Sequence, residues 1–243
     1  MRFRLTLEYD GSTYSGWQLQ RGQGSIQAEL EAALARLFGV HVRVHGAGRT
    51  DAGVHALGQV AAFDAPRVIA PAELHRALNA LLPGAIAVSE VAVAPSDFHP
   101  RRNARSRVYE YRILNRPYRS PFTCRYAWWI KDRLDADRMN LAARAFVGEH
   151  DFAAFRAVGS AERTTMRRVM RSEWEPLADQ LIYRVEGSAF LRHMVRTMVG
   201  VMVEVGRGRL APEVVPALLA SGNRAAAPAA APACGLFLVA VRY

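Results

Sequence analysis

The stretch Gly48-Arg49-Thr50-Asp51-Ala52-Gly53-Val54-His55 sets one carboxylate beside one guanidinium between two glycines. Extended residues two apart project to the same side of a chain, so Arg49 and Asp51 can meet if this segment is extended. A guanidinium within about 4–6 Å lowers a carboxylate pKa by about 1–3 units, which would keep Asp51 ionised at neutral pH. An ionised carboxylate suits a nucleophile or a base better than a general acid. Gly48 and Gly53 permit a positive φ and remove side-chain bulk, so a large substrate can come close to the backbone. A surface loop with a structural Arg–Asp pair would show the same residues, and such pairs contribute little.

Two further segments carry groups of interest. Seven arginines (101, 102, 105, 107, 112, 116 and 119) face a single acid, Glu110, between Arg101 and Arg119. On an alternating strand Tyr109, Tyr111 and Ile113 point one way, and Val108, Glu110, Arg112 and Leu114 the other. The pattern fits a phosphate track leading to a base-stacking pocket, and equally a solvated basic strand over core tyrosines. In Phe190–Gly200, Leu191, Met194, Val195 and Met198 form an apolar stripe that leaves Arg192 and Arg196, four apart, on another face. An arginine held against an apolar helix needs a carboxylate or a phosphate; for Arg196 an ion pair inside the fold answers as well. Tyr9, Tyr14 and Trp17, near the turn Asp10-Gly11, suit either base stacking or the core.

Net charge points the same way. The 243 residues carry a formal charge of +10, and Lys131 is the only lysine. Arginine pairs phosphates bidentately and stacks on bases, so a nucleic-acid partner is favoured. Genomic base composition also enriches arginine, which makes the net charge the stronger sign. The histidines are scattered, and Cys124 and Cys234 are far apart without zinc spacing, so neither a metal site nor a disulfide framework is expected. Gly22-Gln23-Gly24 and Gly46-Ala47-Gly48 lack the partners of a phosphate loop or a dinucleotide fingerprint and read as turns. No run approaches the 18 or so apolar residues of a membrane span. Met1–Tyr9 alternates as a strand does, without the apolar core and cleavage site of a signal peptide, which reads as cytoplasmic.

The elements that must position these groups follow from periodicity. Strands are expected over Phe3–Tyr9, His41–His45, Leu57–Phe63 and Ile86–Val93, and helices from the N-cap Ser25 to Phe38 and from Pro71 to Leu82. Next come a strand Val108–Leu114, a helix Ala136–Val147 and a hairpin of Val169–Pro176 with Leu181–Glu186. Helices Phe190–Val205 and Pro212–Leu219 follow, then an Ala/Pro-rich loop over 225–233 and a strand Leu236–Tyr243. A strand-first order repeated in both halves predicts an α+β chain of two related units with largely antiparallel sheets. The first, residues 1–104, carries the Asp51 loop; the second, 105–243, carries the tyrosine strand and the arginine helix.

Together these motifs resemble the tRNA pseudouridine synthase A family. The matching stretches are Glu8-Tyr9-Asp10-Gly11 with Gly16-Trp17-Gln18, Ala47–His55, Asp97-Phe98-His99, Tyr109–Asn115, Asp151-Phe152, Phe190–Gly200 and Gly235–Tyr243, in family order along the chain. Singly, only Gly48–His55 is specific. Departures include Pro100-Arg101 where Ala-Arg is common, Ser106 inserted between arginines, and Asn223-Arg224 in place of Asp-Arg. The resemblance implies isomerisation of uridine to pseudouridine at positions 38, 39 and 40 of the tRNA anticodon stem-loop, by a homodimer that needs no cofactor. It implies two ferredoxin-like halves whose sheets join around a basic RNA-binding cleft. It makes Asp51 the catalytic aspartate, Tyr109 the tyrosine that stacks on the target base, and Arg49 and Arg196 active-site arginines that position the nucleotide and pair with Asp51. A tRNA-binding protein without catalysis would use the same basic cleft. A metal-dependent nuclease would need a second carboxylate near Asp51, and the sequence has none there.

Overall fold

The computed structural model describes residues 1–20, 22–159 and 164–243. The chain runs β1 (Arg2–Tyr9), α1 (Ile26–Phe38), β2 (His45–Gly46), β3 (His55–Asp64), α2 (Pro71–Leu81) and β4 (Ile86–Val93). It continues with β5 (Ser106–Asn115), β6 (Trp128–Ile130), α3 (Ala136–Arg144), β7 (Gly148–Asp151), β8 (Met166–Leu177), β9 (Gln180–Gly187), α4 (Met194–Gly206), α5 (Val214–Ser221) and β10 (Leu236–Arg242). Two compact units result: Met1–Arg105 with Phe237–Tyr243, and Ser106–Leu236. The last strand therefore belongs with the first unit, a return of the chain that periodicity does not announce.

In the first unit the strands lie in the order β4-β1-β3-β10, with β2 also on β3. β1 pairs antiparallel with both neighbours, β2 antiparallel with β3, and β10 parallel with β3 at Phe237–His55 and Leu238–Ala56. Phe3, Leu5 and Leu7 of β1 are fully buried, and Ile26, Leu30 and Leu34 of α1 complete the core. Local chemistry sets the helix limits. The Ser25 side chain accepts from the Ala28 N–H at the start of α1, and left-handed Gly39 closes it. Pro71 opens α2, where its missing N–H leaves no bond unmade.

In the second unit the order is β5-β9-β8-β7, antiparallel throughout, with β6 parallel to β5. Tyr109, Tyr111 and Ile113 are buried and Val108, Glu110 and Arg112 half-buried, the alternation expected of β5; Leu114 alone departs, being buried as well. The Trp174 indole N–H meets Met202 Sδ at 3.2 Å, tying β8 to α4.

The two units share one device. Asn79 on α2 accepts from the Val88 N–H at 2.8 Å and donates to the Val88 carbonyl at 2.9 Å. Asn140 on α3 brackets Trp174 of β8 in the same way, at 2.7 and 2.9 Å. Each amide replaces a missing strand partner and satisfies backbone groups that would otherwise invite another edge.

Candidate active site

The Asp51 loop joins β2 to β3. Arg49 is exposed, Thr50 buried and Asp51 half-buried, the alternation of an extended segment. Arg49 donates from Nε to Gln18 Oε1 at 3.0 Å, so the first group found to orient this guanidinium is an amide that sequence reasoning missed. Of the two glycines, Gly53 adopts φ +76°, whereas Gly48 takes no positive φ and a Cβ there would meet open space. Gly53 thus makes the turn and Gly48 leaves room beside it.

The loop backbone is held at several points. The Trp17 N–H donates to the Thr50 carbonyl at 3.0 Å, the Val54 N–H to the Asp51 carbonyl at 3.1 Å and the Gly53 N–H to the Tyr14 carbonyl at 3.3 Å. At its end the Gly11 N–H donates to His55 Nδ1 at 3.1 Å, and the buried His55 ring stacks on Phe237 at 4.7 Å. At its start the Gln59 amide donates to the Gly48 carbonyl at 2.9 Å. Tyr9 and Trp17, open to either reading in sequence, belong to the core at 3% and 2% exposure.

The second unit places Tyr109 on β5 and Arg196 on α4. Tyr109 meets Phe190 edge to face, with ring centroids 5.2 Å apart and planes at 82°. Arg196 is half-buried; its Nε donates to the Ala231 carbonyl at 2.8 Å, and the Ala231 N–H returns a bond of 2.9 Å to the Arg196 carbonyl. The Ala/Pro-rich loop read as a mere connection therefore braces this arginine. It braces β5 too, since the Tyr111 hydroxyl donates to the Pro232 carbonyl at 2.8 Å, and burial pushes that phenol far above its usual range. Arg192 does not share a helix face with Arg196. His193 takes a left-handed φ of 63°, so α4 starts only at Met194 and Arg192 lies exposed ahead of it.

The arginines from 101 to 119 divide. Arg112 Nε pairs with Glu110 at 2.8 Å and Arg116 with Asp179 at 2.8 Å, while Arg107 donates to the Ser188 carbonyl at 2.7 Å. Arg101, Arg102, Arg105 and Arg119 are exposed. Among the described residues no group of three or more His, Cys, Asp or Glu side chains is placed to hold a metal ion. No described helix is long and apolar enough to cross a membrane.

Comparison with known proteins gives these groups a family. A model described as tRNA pseudouridine synthase matches residues 6–101 and 142–243. A protein of Geotalea uraniireducens named tRNA pseudouridine synthase A is 47% identical over 242 residues, covering 100% of this chain and 99% of its own. Proteins of the same name from Geobacter sulfurreducens and Myxococcus xanthus are 47% and 45% identical, covering 99% and 100% of this chain and 98% and 92% of theirs. With likeness over the whole length and the Asp51 loop inside the matched region, the chain belongs to the tRNA pseudouridine synthase family.

Proposed function

We propose that the chain isomerises uridines 38, 39 and 40 of the tRNA anticodon stem-loop to pseudouridine, with Asp51 as nucleophile or base. The observation that carries this reading is a half-buried carboxylate on a loop whose backbone is pinned on both sides, in a chain of this family. The reaction breaks the bond between ring nitrogen and ribose, rotates the uracil and re-forms the link through carbon. It is redox-neutral, hydrolyses nothing and calls for no cofactor. Asp51 can serve it by attack on the anomeric carbon, by attack on the uracil ring or by removal of a ribose proton.

The target must leave the base stack at a cost of a few kcal/mol. Tyr109, oriented by Phe190, stacks on the flipped base and offsets part of that cost. Arg49 and Arg196 hold the nucleotide and the charge of Asp51 in register. The element order β-α-β-β-α-β of the first unit, with β2 and β1 both antiparallel to β3, supports a ferredoxin-like half. The second half is read likewise, the two flanking a basic cleft with the boundary near residue 105, in a cytoplasmic homodimer.

Carbodiimide treatment of tRNA followed by reverse transcription tests the function. Incubation with the protein should add stops at positions 38 to 40, and the Asp51→Asn protein should add none while still binding tRNA. Binding without new stops in the anticodon arm would make the chain a tRNA-binding protein and overturn the reading.

A further inference from the structure

The residue before Asp51 is tied to the sheet by a buried hydroxyl pair. Thr50 Oγ1 and the Tyr9 hydroxyl lie 2.8 Å apart, and Thr50 and Tyr9 are 6% and 3% exposed. The fully buried Gln59 donates from Nε2 to the Tyr9 hydroxyl at 3.4 Å as well as to the Gly48 carbonyl. Tyr9 lies on β1 and Gln59 on β3, neighbouring strands in register at Leu7–Gln59. Gln59 and Thr50 thus both meet the Tyr9 oxygen, and the Thr50–Tyr9 bond joins two hydroxyls, either of which can donate.

This pair does what the main-chain bonds cannot. The carbonyls of Thr50 and Asp51 accept from the Trp17 and Val54 N–H groups, which leaves Thr50 Cα, ahead of the peptide that carries Asp51, still to be held. Anchoring the Thr50 side chain fixes that Cα, and together with the Trp17 bond it sets the plane of the Thr50–Asp51 peptide from which Asp51 projects. A misplacement of about 1 Å at a reacting group can cost about a hundredfold in rate.

We propose that Thr50, anchored by the Tyr9 hydroxyl, is a positioning residue that sets the angle at which Asp51 meets the target nucleotide. The proposal rests on the reading of Asp51 as the reacting group. Burial pushes the Tyr9 phenol up to about 12, against the opposing bonds from Thr50 and Gln59, so the anchor keeps its proton at neutral pH.

The test is single-turnover pseudouridine formation on an unmodified tRNA transcript with enzyme in excess, beside the Kd for the same transcript. Thr50→Val and Tyr9→Phe should each slow the reaction tenfold or more, about a tenth of what a 1 Å error can cost, with Kd within about twofold of wild type. Thr50→Ser keeps the hydroxyl and should keep the rate. The double variant should be no slower than the slower single, because the Thr50–Tyr9 bond that Thr50→Val deletes is already gone in Tyr9→Phe, which also loses the Gln59 bond. If Thr50→Val fails to fold, Tyr9→Phe decides, since it removes one oxygen and keeps the ring. Wild-type rates, losses that multiply in the double variant, or slowing matched by weaker binding overturn the proposal when Asp51→Asn is inactive. An active Asp51→Asn overturns instead the reading beneath it.

Discussion

Gly200 and Ala229 approach so closely that a Cβ on Gly200 would stand 2.1 Å from the Ala229 carbonyl oxygen. The contact lies one turn along α4 from Arg196 and two residues before Ala231, which exchanges two hydrogen bonds with that arginine. Glycine in a helix interior costs about 1 kcal/mol relative to alanine, so Gly200→Ala is stabilising by propensity. Here the added methyl must push the 229–231 segment away, and overpacking costs about 1–3 kcal/mol. Gly200→Ala is therefore expected to lower the thermal unfolding midpoint and to reduce pseudouridine formation, by loosening Arg196. An unchanged midpoint with wild-type activity would show that the segment shifts at no cost and does not govern Arg196.

Phe190 gives Tyr109 its orientation. Phe190→Leu keeps an apolar side chain against Tyr109 but loses the edge-to-face pair, worth about 0.5–1.5 kcal/mol beyond area burial. Stability should fall by roughly that amount. Single-turnover pseudouridine formation should fall more than tRNA affinity, since in the proposed reading the Tyr109 ring meets only the flipped base. Equal losses in rate and affinity would instead make Phe190 a general RNA contact.

Much of this was legible in the sequence, and what was not has physical causes. Long elements announce themselves through periodicity and caps: Ser25 and Pro71 mark helix starts as expected, and β4 spans Ile86–Val93 as read. β6 and β7, of three and four residues, are too short for alternation to register. The start of α4 was misplaced because nothing in Leu191-Arg192-His193 signals that His193 turns left-handed. Asp51 was visible because glycines and a guanidinium flank it locally. The contacts that hold Thr50 and Arg196 were not, since Tyr9 meets Thr50 across 41 residues and Arg196 meets Ala231 across 35. Contacts of that span have no period and no motif.

Stability should decline on the acid side through identifiable carboxylates. Burial raises Glu204, but hydrogen bonds from Arg207 and Arg209 outweigh it and hold the group below its usual range; the Arg2 hydrogen bond does the same for Asp64. A carboxylate with a depressed folded pKa contributes stability that is present above its unfolded pKa and lost as pH falls through the folded one. Unfolding midpoints should thus hold through neutral pH and drop below the ordinary carboxylate range. Glu204→Gln should lower the midpoint at neutral pH and flatten that acid limb. A variant whose acid limb matches wild type would show that the Arg207 and Arg209 contacts contribute nothing measurable.

Affinity for tRNA should depend steeply on salt, and the geometry says which arginines carry the slope. Neutralising about 6–10 phosphates costs about a thousandfold or more in affinity between roughly 50 and 200 mM salt. Sequence alone offers the seven arginines from 101 to 119 as equals. Arg112 and Arg116 are half-buried and paired with Glu110 and Asp179, so a phosphate gains from them only by competing with a carboxylate already in place. Arg102 and Arg105 are exposed. A phosphate-contacting cation adds about one to the slope of log affinity against log salt. Arg102→Ala with Arg105→Ala should therefore reduce the slope by about two, while Arg112→Ala and Arg116→Ala leave it as in wild type and lower stability instead. Filter binding of an unmodified tRNA transcript across that salt range makes the comparison. A slope that drops equally for all four substitutions would mean that the internal pairs open on binding and that the whole strand, not its exposed approach, tracks the phosphates.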